Sequence, residues 1–449
     1  MPLTRWLRAS LSLATLATAT LLSPPAQAVP SFARQTGQDC AACHIGGYGP
    51  QLTPTGIRFK IGGYVDSNGA SNALPLSGMV VGSFTRTGQA QDAPPAAHTK
   101  TNNNAALDEA SLFIAGKLAD QLGAFVQITY DGIAKSTALD HVDLRYARNS
   151  QLQGKDLVLG LSLNNNPGVQ DPFNSSPVWS FPYTASALGF AGPEAATLVN
   201  GGLEHRVLGA SAYAFYDNSW YAELGSYRSL SVTAQRKLGL GAADDPGVLG
   251  NDTLYWRMAW FKDLKNQSFS AGLFGLNAGI RPDRSAGTPV NRYGDVGLDA
   301  TYQWLGTREH IVTLNASHVR ERQRRDALLA NAEADNAVGH LRETKLSASV
   351  HFRQTWGASA SLFRTSGSSD ATLYANSATG SPDTAGQILQ LDWTPFGKED
   401  SWGAPWANLR LGAQYTAYSR YNGARRNYDG AGRNASDNNT LFLFAWTSF

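Results

Sequence analysis

The sequence predicts a mainly β fold: about sixteen antiparallel strands closed into an outer-membrane β-barrel, preceded by a short α-helical monohaem cytochrome c segment. Three observations predict the barrel. Apolar and polar residues alternate with a period of two over many segments, the connections alternate between long and short, and the last alternating strand ends on Phe449. After residue 28 no run of about eighteen apolar residues occurs, so a closed barrel is the remaining way for this chain to cross a bilayer. Charged residues make up 16% of the chain and the formal net charge is +2, a balance that argues against nucleic acid as a partner.

The elements follow in order. Residues 1–28 read as a secretory signal: Arg5 and Arg8 precede an apolar stretch from Leu11 to Leu22, and Ala26-Gln27-Ala28 is a small-x-small cleavage site. Residues 29–75 contain Cys40-Ala41-Ala42-Cys43-His44, the C-x-x-C-H spacing of a covalently bound haem c. The two thiols form thioethers with the porphyrin, and His44 supplies the proximal imidazole to the iron. A zinc site needs four ligands, but the chain holds only these two cysteines. A thioredoxin-type pair is expected near a βαβ pattern, and none is visible. A segment this short cannot enclose a haem, so it is expected to dock in the periplasmic mouth or the lumen of the barrel.

The barrel occupies residues 76–449, with strands expected over 76–87, 107–118, 122–130, 141–149, 157–163, 207–216, 219–227, 252–261, 267–276, 292–305, 310–320, 344–353, 357–365, 386–395, 408–419 and 440–449. In the segment Thr344 to Phe352, Leu346, Ala348, Val350 and Phe352 share one face suited to lipid, while Lys345, Ser347, Ser349 and His351 share one suited to a wet lumen. Connections after odd-numbered strands are mostly long, such as 88–106 and 164–206, and those after even ones mostly short, such as Ala119-Asp120-Gln121 and Asp217-Asn218. Short turns belong to the periplasmic side, which puts the N-terminal segment there or inside the barrel. The turn at 396–407 is longer than this pattern requires. Leu441, Leu443, Ala445, Thr447 and Phe449 share one face of the last strand, and a terminal Phe there resembles the signal read by outer-membrane assembly machinery.

Phe32-Ala33-Arg34-Gln35-Thr36-Gly37, the haem motif, Pro50, Leu52-Thr53-Pro54, Gly56, Phe59-Lys60 and Gly63-Tyr64 together resemble the fused outer-membrane monohaem cytochrome-porins of iron-oxidising bacteria. The match departs at Thr55 and at Ile57-Arg58. The resemblance implies an outer-membrane protein that passes electrons between an extracellular donor, such as ferrous iron, and a periplasmic cytochrome or other carrier. Two alternatives stay open: a solute-conducting porin with a haem plug or sensor, and outward electron flow.

The distal ligand of the iron is open. Met79 is the first candidate because it begins the first strand, close to the haem segment, although a packing role fits it as well. His351 is the second, by lumenward parity, and Met258 reads as lipid-facing beside Trp256 and Trp260. Trp256, Trp260, Trp393 and Trp446 read as an interface girdle, and Arg320 to Arg325 as a solvated outer loop. The aromatic, proline-rich stretch from Asn164 to Pro182 either folds inward as a constriction or packs on itself outside.

Overall fold

The computed structural model describes residues 30–69, 75–190, 195–241, 247–250, 252–398 and 401–449; the expected signal over 1–28 lies outside them. Sixteen long strands form one closed antiparallel ring: β1 (Leu76–Thr87), β2 (Asn104–Ala119), β3 (Leu122–Asp131), β4 (Ser136–Leu152), β5 (Lys155–Asn164), β6 (Val207–Tyr216), β7 (Trp220–Ser229), β8 (Leu254–Asp263), β9 (Gln267–Arg281), β10 (Asn291–Trp304), β11 (His310–Arg325), β12 (Val338–Phe352), β13 (Trp356–Gly367), β14 (Thr384–Trp393), β15 (Asn408–Arg420) and β16 (Thr440–Ser448). A two-residue strand, Val248–Leu249, adds to the outer end of β9. The ring closes where β1 meets β16, with Met79 opposite Ser448 and Thr87 opposite Thr440. Phe449 extends this seam by exchanging backbone hydrogen bonds with Gly78 at 2.6 and 2.9 Å. Its ring fills the place of a side chain at residue 78, since a Cβ there would lie 2.5 Å from Phe449 Cε2.

The period-two pattern becomes two chemically opposite faces. Leu161, Met258, Leu362 and Leu391 point outward and are exposed, a band that only a lipid environment covers. Inside, Arg145, Arg257 and Arg325 are fully buried among carboxylates and amides. This architecture places the protein in the bacterial outer membrane. Separately, no helix among the described residues is long and apolar enough to span a bilayer.

The strands outrun the alternation at their outer ends. β4 begins at Ser136, β9 runs to Arg281, and β11 continues to Arg325, so the Arg320 to Arg325 run is strand rather than loop. Beyond the bilayer both faces of a strand meet water, so the hydrophobic pattern fades while the ladder continues. Arg320, Arg322 and Arg324 point out, and Glu321, Gln323 and Arg325 point in. Trp446 also departs from expectation. It faces the lumen, with its ring 5.0 Å from that of Tyr48 in a T-shaped contact, because Phe442, Phe444 and Trp446 share the inner parity of β16.

The lumen is filled from both ends. From the long-loop end, residues 165–190 and 195–206 fold inward and bury Phe173, Phe181, Leu188 and Leu203. Arg257 on β8 fastens this loop: it donates to Asp299 at 2.7 and 3.0 Å and pairs with Asp171 of the loop at 3.1 Å. Farther along, the Val199 N–H donates to Asp295 at 2.7 Å and the Leu198 N–H to Glu321 at 2.6 Å. From the short-turn end enters the N-terminal segment.

Candidate functional site

Three short helices build that segment: α1 (Pro30–Thr36), α2 (Cys40–Cys43) and α3 (Pro54–Ile61). Asp39 caps α2 by accepting from the Ala42 N–H at 3.0 Å, and one helical turn places Cys40 and Cys43 on the same side. His44 leaves the helix in extended conformation and bridges to Leu52. Thr53 then works twice. Its hydroxyl donates to Ala42 O at 2.5 Å and accepts from the Gly56 N–H at 3.3 Å, capping α3 while tying it to α2. Gly56 is required for this approach, since a Cβ would stand 2.5 Å from Cys43 O.

The barrel wall grips this unit around most of its circumference. The Asn408 amide donates to Gly47 O at 2.7 Å, Gln303 to Leu52 O at 2.8 Å, and the Tyr213 hydroxyl to Ile61 O at 2.6 Å. Tyr64 donates to Asp143 at 2.7 Å, and Arg145 donates to Lys60 O at 3.0 Å. The overlong turn after β14 has its reason here: Gly397 O accepts from the Ala41 N–H at 3.0 Å, so the extra residues reach up to hold α2. The inward loop meets the segment from above, with Lys60 Nζ donating to Val169 O at 2.8 Å and lying 4.6 Å from the Trp179 ring.

Around this anchor Ala41, Ile45, Gly46, Gly47 and Tyr48 are buried, whereas Cys40, Cys43 and His44 keep accessible surface. Burial pushes the Cys40 and Cys43 thiols up to about 11 and the His44 imidazole down to about 4, the latter opposed by the Gly49 backbone. His44 is therefore neutral at physiological pH, the form that ligates a metal. Its Nδ1 is buried without a hydrogen-bond partner.

His351 on β12 is a wall histidine packed against Gly46, two residues after His44. It is buried, both ring nitrogens lack partners, and a Cβ on Gly46 would lie 2.6 Å from its Nε2. Gly46, at φ 74°, thus serves both a left-handed turn and room for that ring. Met79 faces the lumen in an apolar cluster with Val81, Phe113 and Ala115, against which Phe32 of α1 and Trp446 pack. The structure thereby brings Cys40, Cys43, His44 and His351 into one region and sets Met79 beside α1. Met258 is lipid-facing at 62% exposure, as its parity requires. Sequence alone did not point to Gln354, whose Oε1 accepts from the Gly46 N–H at 2.6 Å; the sole hint was its place in a short turn on the segment's side.

No family model matches the sequence, and no curated protein matches it. Among solved structures, an anion-selective porin from Comamonas acidovorans is similar at 13% identity and TM-score 0.45, covering 83% of this chain and 98% of that one. The outer-membrane channel DcaP of Acinetobacter baumannii is similar at 12% identity and TM-score 0.45, with 83% and 96% covered. OprB of Pseudomonas putida is similar at 11% identity and TM-score 0.45, with 83% and 93% covered.

Proposed function

We propose that this barrel carries one covalent haem c on Cys40, Cys43 and His44 and passes electrons across the outer membrane, between an extracellular donor and a periplasmic carrier. Haem supplies a one-electron couple whose potential is set by axial ligation, burial and hydrogen bonding. The observation that carries the reading is the C-x-x-C-H unit held inside the lumen, with Cys40, Cys43 and His44 partly exposed beside the buried Ala41, Ile45, Gly46 and Gly47. The neutral His44 imidazole and the unpartnered His351 ring fit iron ligation. Contacts of the wall with the segment hold the motif toward the short-turn end, the side on which a periplasmic partner would approach. Ferrous iron is the first donor to try, on the strength of the sequence resemblance.

Stopped-flow haem absorbance of the purified protein, mixed anaerobically with ferrous iron, tests this. The reading expects a reduced c-type spectrum, absent from a Cys43→Ala variant. Reduction by dithionite but not by ferrous iron rejects iron as the donor, and no haem at all rejects the reading.

A second reading, a solute-conducting porin with a haem plug, is favoured by one observation. A cavity of about 270 Å³ remains between the inward loop and the wall, lined by Ser186, Asn200, Glu343, Lys345 and Thr440 among others. A sixteen-stranded ring is wide enough for an aqueous channel when nothing fills it.

A further inference from the structure

At the outer end of the lumen, four side chains from two stretches of chain converge: Asp140 and His141 on β4, and Glu204 and His205 just before β6. One ligand atom from each lies within 4.8 Å of all the others. We propose that these four residues bind a divalent first-row transition-metal ion, a second metal site separate from the haem motif.

The spacing suits a shared metal. His205 Nε2 stands 3.5 Å from Glu204 Oε1, and His141 Nδ1 stands 3.7 Å from Glu204 Oε1 and 3.8 Å from Asp140 Oδ1. Ligands at about 2.1 Å from a tetrahedral ion stand about 3.4 Å apart, so these pairs need only small shifts. The fourth pair, His205 Nε2 to Asp140 Oδ1 at 2.7 Å, must open. Two carboxylates balance the ion's charge, and two imidazoles with two oxygens form a donor set suited to Fe(II), Zn(II) or Co(II) rather than to calcium. His141 Nδ1 has no hydrogen-bond partner.

The surroundings orient the ligands and leave a way in. The Thr129 hydroxyl donates to Asp140 Oδ2 at 2.8 Å and holds the carboxylate, while the Asn165 amide donates to the Asp140 backbone carbonyl at 2.7 Å and holds the strand there. The four side chains remain 20–35% exposed, which leaves an ion a way in. On the inner side the His141 ring lies 5.8 Å from that of Trp179, which in turn covers Lys60 of the haem segment. None of the four ligands belongs to that segment, so the site does not depend on the haem reading.

The test is Co(II) titration of the full chain purified from outer membranes, followed by d–d absorbance and by equilibrium dialysis. One saturable equivalent per chain is expected, displaced by Zn(II), with affinity at least tenfold weaker in His205→Asn and in Glu204→Gln. Heat-modifiable migration checks that each barrel is folded, and His141→Gln replaces any variant that is not. Absence of a saturable equivalent, or equal binding by the variants, would show an ion-pair cluster only and overturn the proposal.

Discussion

Arg257→Met tests what holds the inward loop in the lumen. The guanidinium is fully buried and serves two carboxylates, Asp299 on the wall and Asp171 on the inward loop. Removing one partner of a buried ion pair costs about 3–5 kcal/mol, because the charge left behind is uncompensated. Here two carboxylates are left facing each other. With the loop docked they repel; with the loop released Asp171 reaches water, so the cost falls on the docked state. At about 1.4 kcal/mol per tenfold, the released population rises by roughly two to four orders of magnitude. Planar-bilayer recordings read this as larger and noisier single-channel conductance, and added Asp171→Asn and Asp299→Asn changes return part of the closure. Unchanged conductance together with unchanged protease resistance of residues 165–206 would refute the reasoning.

Other consequences are as direct. Gly46→Ala adds a Cβ 2.6 Å from His351 Nε2 at a φ of 74°. A left-handed non-glycine residue alone costs about 1–2 kcal/mol. Residues 30–69 should become protease-sensitive at lower temperature, and a further His351→Ala change should relieve only the steric part. Lys60 is pushed down by burial, and next by Arg145, from 10.5 to about 7. The unfolded state then binds more protons between those values, so docking of the segment strengthens as pH rises from about 7 to 10.5 and is flat below, by up to about 5 kcal/mol. Proteolysis of the segment against pH should show this slope and lose it in Lys60→Met; matching profiles would contradict it. Leu391→Arg, on the lipid face at 66% exposure, should lower barrel stability in vesicles by about 2–4 kcal/mol in urea titration, whereas a variant as stable as the parent barrel would deny that face to lipid.

The strands were legible because each must satisfy two solvents, and that demand writes itself as alternation. β12 shows it plainly: Leu346, Ala348, Val350 and Phe352 outside, Ser349 and His351 inside. Where one demand lapses the signal lapses too, as along Arg320 to Arg325, which both faces of the strand present to polar surroundings. Trp446 shows a different limit. An aromatic residue suits an interface girdle and a buried ring contact equally well, and only the partner Tyr48 decides between them. The C-x-x-C-H motif was readable because its spacing is local. The wall residues that hold the segment, Gln354 in a short turn and Asn408 and Gln303 on strands, lie far off in sequence, and no local pattern marks a residue whose role is to meet another some hundreds of positions away. The same holds for Asp140, His141, Glu204 and His205, two ordinary pairs until the fold of the inward loop joins them.

The most direct measurement places the purified protein in sealed liposomes that hold a reduced viologen dye and a small fluorescent solute, then adds an external electron acceptor. Electron transfer across a closed, haem-bearing barrel predicts rapid dye oxidation that depends on Cys43, with the fluorescent solute retained. Solute escape at a porin's rate, with dye oxidation no faster in wild type than in Cys43→Ala, would contradict it.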